Sequence, residues 1–399
     1  MALAGNVDPA TVGVRFVEQH PHRNYAINWN LNIQHEIASN LTAAIAYVGS
    51  HAVHSPFSTD DSNMVLPTVS SLGYLWPIPG TDPVATGTGG NCAGKTTPPP
   101  CAWPVLNPNV GRIRAIWWDN SSSYHGLQAG LAKRMSHGFQ AQGSYTWSKC
   151  LDNGSGGMLG DPYANSLSSL MFFNRGGRHG KCDFDVTQNF VVNYLWQPPT
   201  PKFGGAVAER ILGGWEFGGV IVASTGSPFT VLIGGDPLGQ NSTDPFAFAS
   251  RVAGPGCNNP VHPGNVNGYI NTNCFSVPLV PASLAASCQL ALDGTGKPVP
   301  GTCMNLFGNA GRNTVVGPGL LNVDFSAFKN NYIPRISETF NIQFRAEFFN
   351  ILNHPNFQSP VKHNAIFNTD GSPVTNGAGA INSTTTSSRQ IQFGLKVIW

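Results

Sequence analysis

One short stretch of the sequence matches the pattern of a phosphate-binding loop. Residues 89–96 read Gly-Gly-Asn-Cys-Ala-Gly-Lys-Thr, a literal match to that pattern. The chemistry needs a strand before the loop and a helix after it, because backbone N–H groups and the helix N-terminus hold the phosphate. No apolar strand precedes the motif, and Pro98, Pro99 and Pro100 follow it, which cannot propagate a helix. Nucleotide binding is therefore not expected.

Two histidines and one charge pair have spacings that could support other chemistry. His51 and His54 form a His-x-x-His pattern, which suits a metal ion only on a helix with a third ligand nearby. Their segment is rich in Ser and Pro, so solvated loop histidines are expected. Arg345 and Glu347 could act as an acid–base pair, but charges two positions apart on a strand share a face, and a pair lining a wet lumen is the better interpretation. No catalytic residue, metal or cofactor is expected.

The eight cysteines indicate an oxidising compartment. They all fall in Gly-, Pro- and Asn-rich segments, which suits four sequential loop disulfides, with free loop thiols as the alternative. No Cys-x-x-Cys spacing supports zinc or redox chemistry. The cysteines are Cys92, Cys101, Cys150, Cys182, Cys257, Cys274, Cys288 and Cys303.

The composition excludes several classes of protein. Only 11% of the 399 residues are charged, whereas soluble domains usually carry about 25%. The 23 Phe, 9 Tyr and 9 Trp argue against disorder. A net charge of +2 without a basic tract argues against nucleic acid as a partner. No stretch reaches the roughly 18 apolar residues of a membrane-spanning helix, and the N-terminus does not read as a secretory signal.

Alternation of apolar and polar residues predicts long strands with one face of each kind. The pattern is clearest around residues 25–34, 139–148 and 340–348 and at the C-terminus. The predicted polar positions, expected to face a lumen, are Asn28, Asn30, Asn32, Gln34, Gln140, Gln142, Asn341, Gln343, Arg345 and Glu347. The apolar positions of the last strand are Ile391, Phe393, Leu395, Val397 and Trp399.

Five weaker segments lie at residues 41–49, 122–134, 184–196, 215–225 and 321–329. With them, the pattern predicts nine strands, most of them about 9–14 residues long, joined by alternately short and long connections. The one competing helical signal is a short turn at residues 206–212. Strands of roughly 9–11 residues cross a bilayer, and outer-membrane barrels have short periplasmic turns and long extracellular loops. The fold class predicted is therefore all-β, an antiparallel transmembrane β-barrel portion of about nine strands. A soluble β-sandwich is the alternative, but its exposed face usually carries Lys, Glu and Arg and its loops are rarely so long.

Several segments resemble the C-terminal barrel region of TonB-dependent outer-membrane receptors of the Oar-like group. The strongest is Phe-Arg-Ala-Glu-Phe-Phe-Asn-Ile-Leu-Asn-His-Pro at residues 344–355. The resemblance extends in order from about Tyr25 to the end. The other segments that carry it are residues 25–36, 46–50, 143–149, 184–186, 189–194, 213–215, 226–231, 307–313 and 389–396.

The resemblance implies a protein of the bacterial outer membrane that imports a substrate with energy from the inner-membrane TonB complex. The family pattern includes a plug inside a barrel of roughly 22 strands, and neither the plug nor a TonB box is visible here. The chain is therefore expected to be a fragment, with an irregular extension over residues 1–20 and barrel over residues 21–399. With two exposed edges, it is not expected to form a stable barrel alone.

The expected partners are outer-membrane lipid, the barrel-assembly machinery, which would read the aromatic-ended last strand, and an unidentified substrate. The TonB complex would be reached only through the missing N-terminal part. The long loops are expected outside the cell and Trp399 in the periplasm. A passive porin and a β-rich surface adhesin remain the alternatives.

Overall fold

Nine long strands form the main sheet of the computed structural model. The structure describes residues 13–59, 61–78, 106–107, 110–155, 163, 165–167, 171–201, 203, 205–240, 247–362 and 364–399. The strands are β1 (Tyr25–Ala38), β2 (Leu41–Thr59), β3 (Ile113–Ser136), β4 (Phe139–Asp152), β5 (Gln188–Trp196), β6 (Trp215–Ser224), β7 (Leu320–Tyr332), β8 (Asn341–Phe349) and β9 (Gln390–Ile398).

Each long strand pairs antiparallel with its neighbours in chain order, as the sequence predicted. The exact bounds differ in two places. Strand β5 begins at Gln188 rather than at Phe184. Residues 182–185 form a turn closed by the Asp185 N–H and the Cys182 carbonyl oxygen at 2.9 Å, and the Asp185 carboxylate accepts a hydrogen bond from the Cys150 N–H. Strands β2 and β3 extend beyond the predicted ends because they continue to pair as far as Thr59 and Ala115.

The register brings the apolar positions of all nine strands onto one face. Leu31, Tyr47, Leu127 and Trp147 form one such cross-strand row. The apolar side chains occupy odd-numbered positions in β4 and β6 and even-numbered positions in β5. Because Trp196 pairs with both Phe139 and Phe217, the apolar positions of the three strands still lie on one face. We call this side of the sheet the apolar face and the opposite side the polar face.

Many large apolar side chains on the apolar face are exposed. Leu31 is 64% exposed and Leu395 is 71% exposed, although both are large aliphatic side chains. Exposed apolar side chains of this number are abnormal in water and normal against lipid. The described strands β1 and β9 are the two edges of the sheet and do not pair with each other, so the barrel is not closed.

Tight turns join the strands at one end of the sheet. Asn40 between β1 and β2 has φ 65°, and His137 and Gly138 between β3 and β4 have φ 53° and 74°. Positive φ at two successive positions is the geometry of the two-residue turns that suit twisted hairpins. The connection from β5 to β6 contains helix α2 (Gly205–Leu212), where the sequence predicted a short helical turn.

The four long connections pack together at the other end of the sheet. We call the described residues within 61–112, 153–187, 225–319 and 350–389 the loop compartment. Its apolar core includes Trp76, Met171, Phe229, Val231, Ile233, Leu238, Phe248, Tyr269, Ile270, Phe275, Val277, Met304, Val315, Ile366 and Ile381. Because every connection contributes to this core, the compartment is a folded unit and not a set of independent loops.

Short elements organise the loop compartment. Leu232–Ile233 pairs with Ala247–Phe248 and with Ala365–Phe367, so it joins two different connections. The remaining short strands are Thr68–Ser70, Gly73–Leu75, Gly180–Lys181, Pro228–Phe229, Ser250–Arg251, Phe275–Ser276 and Val315–Val316, and the helices are α1 (Arg175–Arg178) and the 3-10 turns Thr272–Cys274 and Ala285–Ser287. Among the described residues, no helix is long and apolar enough to span a membrane.

The N-terminal extension is not wholly irregular, contrary to the prediction for residues 1–20. Val14–Val17 forms a strand that pairs in parallel with residues 113–116. The outer part of β3 projects beyond the register of β4 and offers an unpaired edge there, so a segment as short as four residues can add to it. Residues 1–12 lie outside the described structure.

Three disulfides connect the predicted sequential partners. They are Cys150–Cys182, Cys257–Cys274 and Cys288–Cys303. Cys92 and Cys101 lie outside the described residues. One expectation is corrected: Cys150 lies inside β4 and not in a loop, so its disulfide fastens the loop compartment to the sheet.

Reduction of the Cys288–Cys303 disulfide is expected to destabilise the loop compartment by about 3 kcal/mol, because it closes a loop of 15 residues. The Cys288→Ser/Cys303→Ser variant should therefore unfold at lower urea concentration, followed by tryptophan fluorescence. Met64→Leu, a buried change that conserves volume, serves as the control. An unchanged midpoint for the cysteine variant would contradict the role given to this disulfide.

Candidate functional site

A buried ionic network holds the loop compartment against the end of β4. Arg312 donates from Nη1 to Asp183 Oδ1 at 2.8 Å and from Nη2 to the carboxylate of Asp152, the last residue of β4. Its Nε–H donates to the carbonyl oxygen of Arg178 at 2.9 Å. All three side chains of the ion pairs are almost fully buried. Arg312 thereby joins three segments that are distant in sequence.

The carboxylates of this network are fully hydrogen-bonded. Asp183 also accepts from Asn313 Nδ2 at 2.6 Å and from the Ser166 hydroxyl at 2.6 Å. Burial raises the pKa of Asp183, and the Arg312 guanidinium and the two hydrogen bonds oppose that rise. Asn313 has φ 56°, a conformation that asparagine tolerates better than most residues. Since each group already has its partners, the network is structural.

A second buried arginine lies beside the first. The Arg178 guanidinium is 1% exposed, lies 4.0 Å from the centroid of the Phe57 ring and donates to Asp119 Oδ2 at 2.9 Å. Burial lowers the pKa of Arg178 to about 10, and Asp119 opposes this change. The side chain therefore stays charged at neutral pH and links helix α1 to β2 and β3.

Two adjoining cavities lie where the loop compartment meets strands β6 and β7. They measure about 480 and 440 Å³ and share Ser224, Thr225, Gly226, Pro318 and Phe357 in their walls. Volumes of roughly 300–1,000 Å³ are usual for small-molecule sites.

The walls of the two cavities combine aromatic rings with uncharged polar groups. Tyr163 and Phe184 lie with their ring centroids 5.3 Å apart in the wall of the smaller cavity. Asn165 and Gln358 supply amides. The one charged side chain among the described wall residues is Asp183, which is already bonded to Arg312. The cavities therefore suit an uncharged polar ligand with an apolar surface.

The structure places all ten predicted lumen residues on the polar face. Asn341 and Gln343 donate to Asn330 Oδ1, both at 2.8 Å, and Arg345 Nε donates to Gln343 Oε1 at 2.6 Å. Arg345 is therefore directed to an amide, and Glu347 lies opposite Ser326 and Gln392. Asn28, Asn30, Asn32 and Gln34 lie on the exposed edge strand β1, and Gln140 and Gln142 lie on β4. That this face lines a lumen remains a prediction.

The last strand occupies the other edge of the sheet. Ile391, Phe393, Leu395 and Val397 lie on the apolar face and are exposed. Trp399 follows the strand and is 87% exposed. Phe393 stacks on Phe344 of the neighbouring strand with ring centroids 6.1 Å apart. Recognition of this strand by the assembly machinery remains a prediction.

The His-x-x-His pattern lies in a strand and not in a loop, contrary to expectation. His51 is paired within β2 opposite Ile27. His54 interrupts the regular register with φ 55°, contacts the carbonyl oxygen of Arg23 at 3.2 Å and stacks on His22. No group of three or more potential metal ligands is found among the described residues. The phosphate-loop motif at residues 89–96 lies outside the described structure.

The sequence analysis did not predict that Arg312, Asp152 and Asp183 form one buried ionic network. A usable signal was present, because charged residues are rare in this chain and Asp152 and Asp183 lie beside Cys150 and Cys182. A buried carboxylate needs a cationic or hydrogen-bonding partner. Nothing local in the sequence, however, indicates that the partner is a residue 160 positions away.

Comparison with solved structures finds transport proteins at low similarity. The outer membrane transporter YddB from Escherichia coli gives a TM-score of 0.44 at 9% identity, covering 96% of this chain and 34% of that one. The FrpB iron transporter from Neisseria meningitidis gives 0.37 at 12% identity, covering 96% and 32%. The pyoverdine outer membrane receptor FpvA from Pseudomonas aeruginosa gives 0.37 at 10% identity, covering 94% and 30%.

The chain thus spans about a third of the length of these solved structures. Comparison with curated proteins gives no match. The family model described as outer membrane beta barrel domain matches residues 2–392. That match covers almost the whole chain and agrees with the antiparallel sheet, its exposed apolar face and its alternation of short turns and long connections. The chain belongs to the outer membrane beta barrel domain family.

Proposed function

We propose that this chain forms the wall and outer loops of a TonB-dependent transporter, which imports an uncharged polar substrate through the outer membrane. The observation that carries the proposal is the position of the two cavities, between the loop compartment and the strand ends at Ser224 and Leu320. A substrate held there would lie at the end of the wall, next to the polar face.

The proposed orientation puts the loop compartment outside the cell and Trp399 in the periplasm. The arrangement of short turns at one end and long connections at the other supports it, since outer-membrane barrels follow this rule. Residues 21–399 would form the barrel part. Energy coupling would depend on the TonB complex, which would act through a plug and an N-terminal segment of the same transporter.

Gene-dependent accumulation of labelled compounds tests this proposal. Cells with the intact gene and cells with a deletion are offered neutral oligosaccharides, uncharged peptides and metal chelates, each with and without a protonophore. Accumulation that needs the gene and is abolished by the protonophore supports energised import. Accumulation that survives the protonophore would indicate a passive pore. No gene-dependent accumulation, with a loss of surface attachment, would indicate an adhesin.

A bulky residue in the smaller cavity is expected to block capture. Ser359→Trp places an indole where Ser359 forms part of the wall, and should lower uptake of the accumulated compound about tenfold, equivalent to roughly 1.4 kcal/mol. Thr375→Trp, at an exposed position of the same connection, is the control and should leave uptake unchanged. Equal uptake by both variants, at equal surface abundance, would exclude this cavity as the capture site.

A further inference from the structure

A third cavity, distinct from the two above, opens on the apolar face near the loop compartment. It measures about 520 Å³. Tyr47, His125, Trp147, Lys149 and Lys181 lie in its wall. The register puts His125 opposite Lys149, and Lys181 opposite Leu151, so both lysines lie on the apolar side of the sheet at the end nearer the long connections.

The charged residues on the apolar face of the regularly paired strands are all basic. No Asp or Glu occupies an apolar-face position in the regularly paired parts of the nine strands. The lysines lie near the strand ends, with Lys133 and Lys329 near the short turns and Lys149 near the long connections. This distribution suits a membrane surface whose headgroups are anionic.

The spacing of these lysines is slightly shorter than the apolar band of an outer-membrane barrel is tall. Lys133 is eight positions along β3 from His125, the partner of Lys149. At about 3.3 Å per residue this separation is about 26 Å along the strand, or about 20 Å along the membrane normal for a strand tilt of about 40°. The apolar band of an outer-membrane barrel is about 25 Å tall. The third cavity therefore lies at the level of the headgroups.

Two of the polar groups of the third cavity have donors available to an anion. The Tyr47 hydroxyl lies 2.7 Å from His125 Nδ1, which leaves the Nε2 nitrogen as the group available to a ligand. Lys149 has no carboxylate partner among the described residues, whereas Lys181 forms an ion pair with Asp185, Nζ to Oδ2 3.7 Å, and keeps N–H groups that can also face a second anion. Asp185 is itself bonded to the Cys150 N–H and the Thr187 hydroxyl. Three nitrogen donors thus surround one cavity with an aromatic wall.

We propose that the third cavity binds the phosphate of a phosphorylated lipid headgroup in the leaflet next to the loop compartment. Lys149 and Lys181 would pair with the phosphate, and His125 would donate from Nε2. Trp147 and Tyr47 would lie at the boundary of headgroups and acyl chains, where amphipathic rings are favoured. The site rests on the proposed orientation in the membrane and is independent of the transported substrate.

Lipid binding by the whole chain tests the proposal, with native mass spectrometry and phosphorus analysis as the measurements. The full-length gene product is inserted into nanodiscs and offered a bis-phosphorylated glucosamine lipid, the same lipid without phosphates, or inorganic phosphate. Lys149→Ala/Lys181→Ala is compared with Lys133→Ala/Lys329→Ala, which removes equal charge at the other end of the strands. His125→Asn provides a second variant that keeps both charges.

The native chain should retain the phosphorylated lipid, and Lys149→Ala/Lys181→Ala should weaken its binding about tenfold or more. Lys133→Ala/Lys329→Ala should bind as the native chain does, and His125→Asn should lie between them. Equal weakening by both double variants, or equal binding of the dephosphorylated lipid, would overturn the proposal. Saturable binding of inorganic phosphate alone would make this a soluble-anion site and overturn the lipid assignment. Failure of the full-length gene product to reach the outer membrane would instead refute the proposed function.

Discussion

Replacing Arg312 with methionine is expected to destabilise the loop compartment by about 3–5 kcal/mol. The guanidinium is the cationic partner of both Asp152 and Asp183, and all three side chains are almost fully buried. Removing one partner of a buried ion pair leaves an uncompensated charge in a medium of low polarity, which is the costly case. Methionine has a similar length, so the expected loss comes from the charge and the hydrogen bonds and not from a large cavity.

Proteolysis of the full-length gene product in outer membranes measures this effect region by region. In Arg312→Met, cleavage between residues 225 and 319 should become fast while the paired strands stay protected. Arg335→Met removes the same charge from an exposed position between β7 and β8 and should change nothing. If both variants resist protease as the native chain does, the buried network does not stabilise the compartment.

The defect in Arg312→Met should depend on pH. Burial already raises the pKa of Asp183, and loss of the opposing guanidinium is expected to raise it further. A carboxyl group whose pKa is higher in the folded than in the unfolded state favours folding when protonated, and this contribution is lost as the pH rises through the folded pKa. The variant should therefore resist protease better in mildly acidic than in neutral buffer. The opposite trend would indicate that the carboxylates stay ionised without Arg312.

Arginine at Ala129 is expected to cost about 2–4 kcal/mol of folding free energy in a bilayer, whereas arginine at the adjacent Gln128 should cost little. Both residues are exposed and lie on β3, four and three positions from His125. Ala129 is paired with Ile45 and Tyr145 on the apolar face, and Gln128 lies on the polar face. The two variants add the same charge to the same strand and differ in the face that receives it.

Urea titration of the full-length gene product in phospholipid vesicles, followed by tryptophan fluorescence, gives the two folding free energies. Ala129→Leu controls for the size of the new side chain and should fold as the native chain does, since leucine suits lipid. A larger loss for Gln128→Arg than for Ala129→Arg would invert the assignment of the faces. Equal losses would show that neither face meets lipid.

The wall of the protein was predictable from the sequence because its information is local. In a strand with one apolar face, apolar and polar side chains alternate strictly. Tyr25, Ile27 and Trp29 therefore indicate both the strand and the side of it that is apolar. Strands joined by short turns then pair as antiparallel neighbours, because consecutive elements with a short connection are usually adjacent. The three described disulfides were also predictable, since their cysteines are close in sequence.

The loop compartment was not predictable, because its contacts are not local. Phe229, Ile233 and Met304 are buried among Gly, Pro and Asn residues and follow no period. Trp117 illustrates this, because it lies in the part of strand β3 that precedes the patterned segment and stacks on Phe172 of another connection, with ring centroids 6.0 Å apart. Arg312 carried no signal of its two distant carboxylates. A pattern within a segment cannot show which segments will meet.

The long-range contacts of the loop compartment determine when folding of the protein can be completed. Asn305 donates to the carbonyl oxygen of Trp76, 229 positions earlier, and Arg312 reaches back 160 positions to Asp152. Contacts over such separations slow folding, because the intervening chain must be confined before they form. During biogenesis, adjacent hairpins can pair early, while the outer end of the molecule has to wait for the C-terminal half. Until then its apolar side chains and thiols stay accessible, which makes this interval the time at which chaperones and oxidants act.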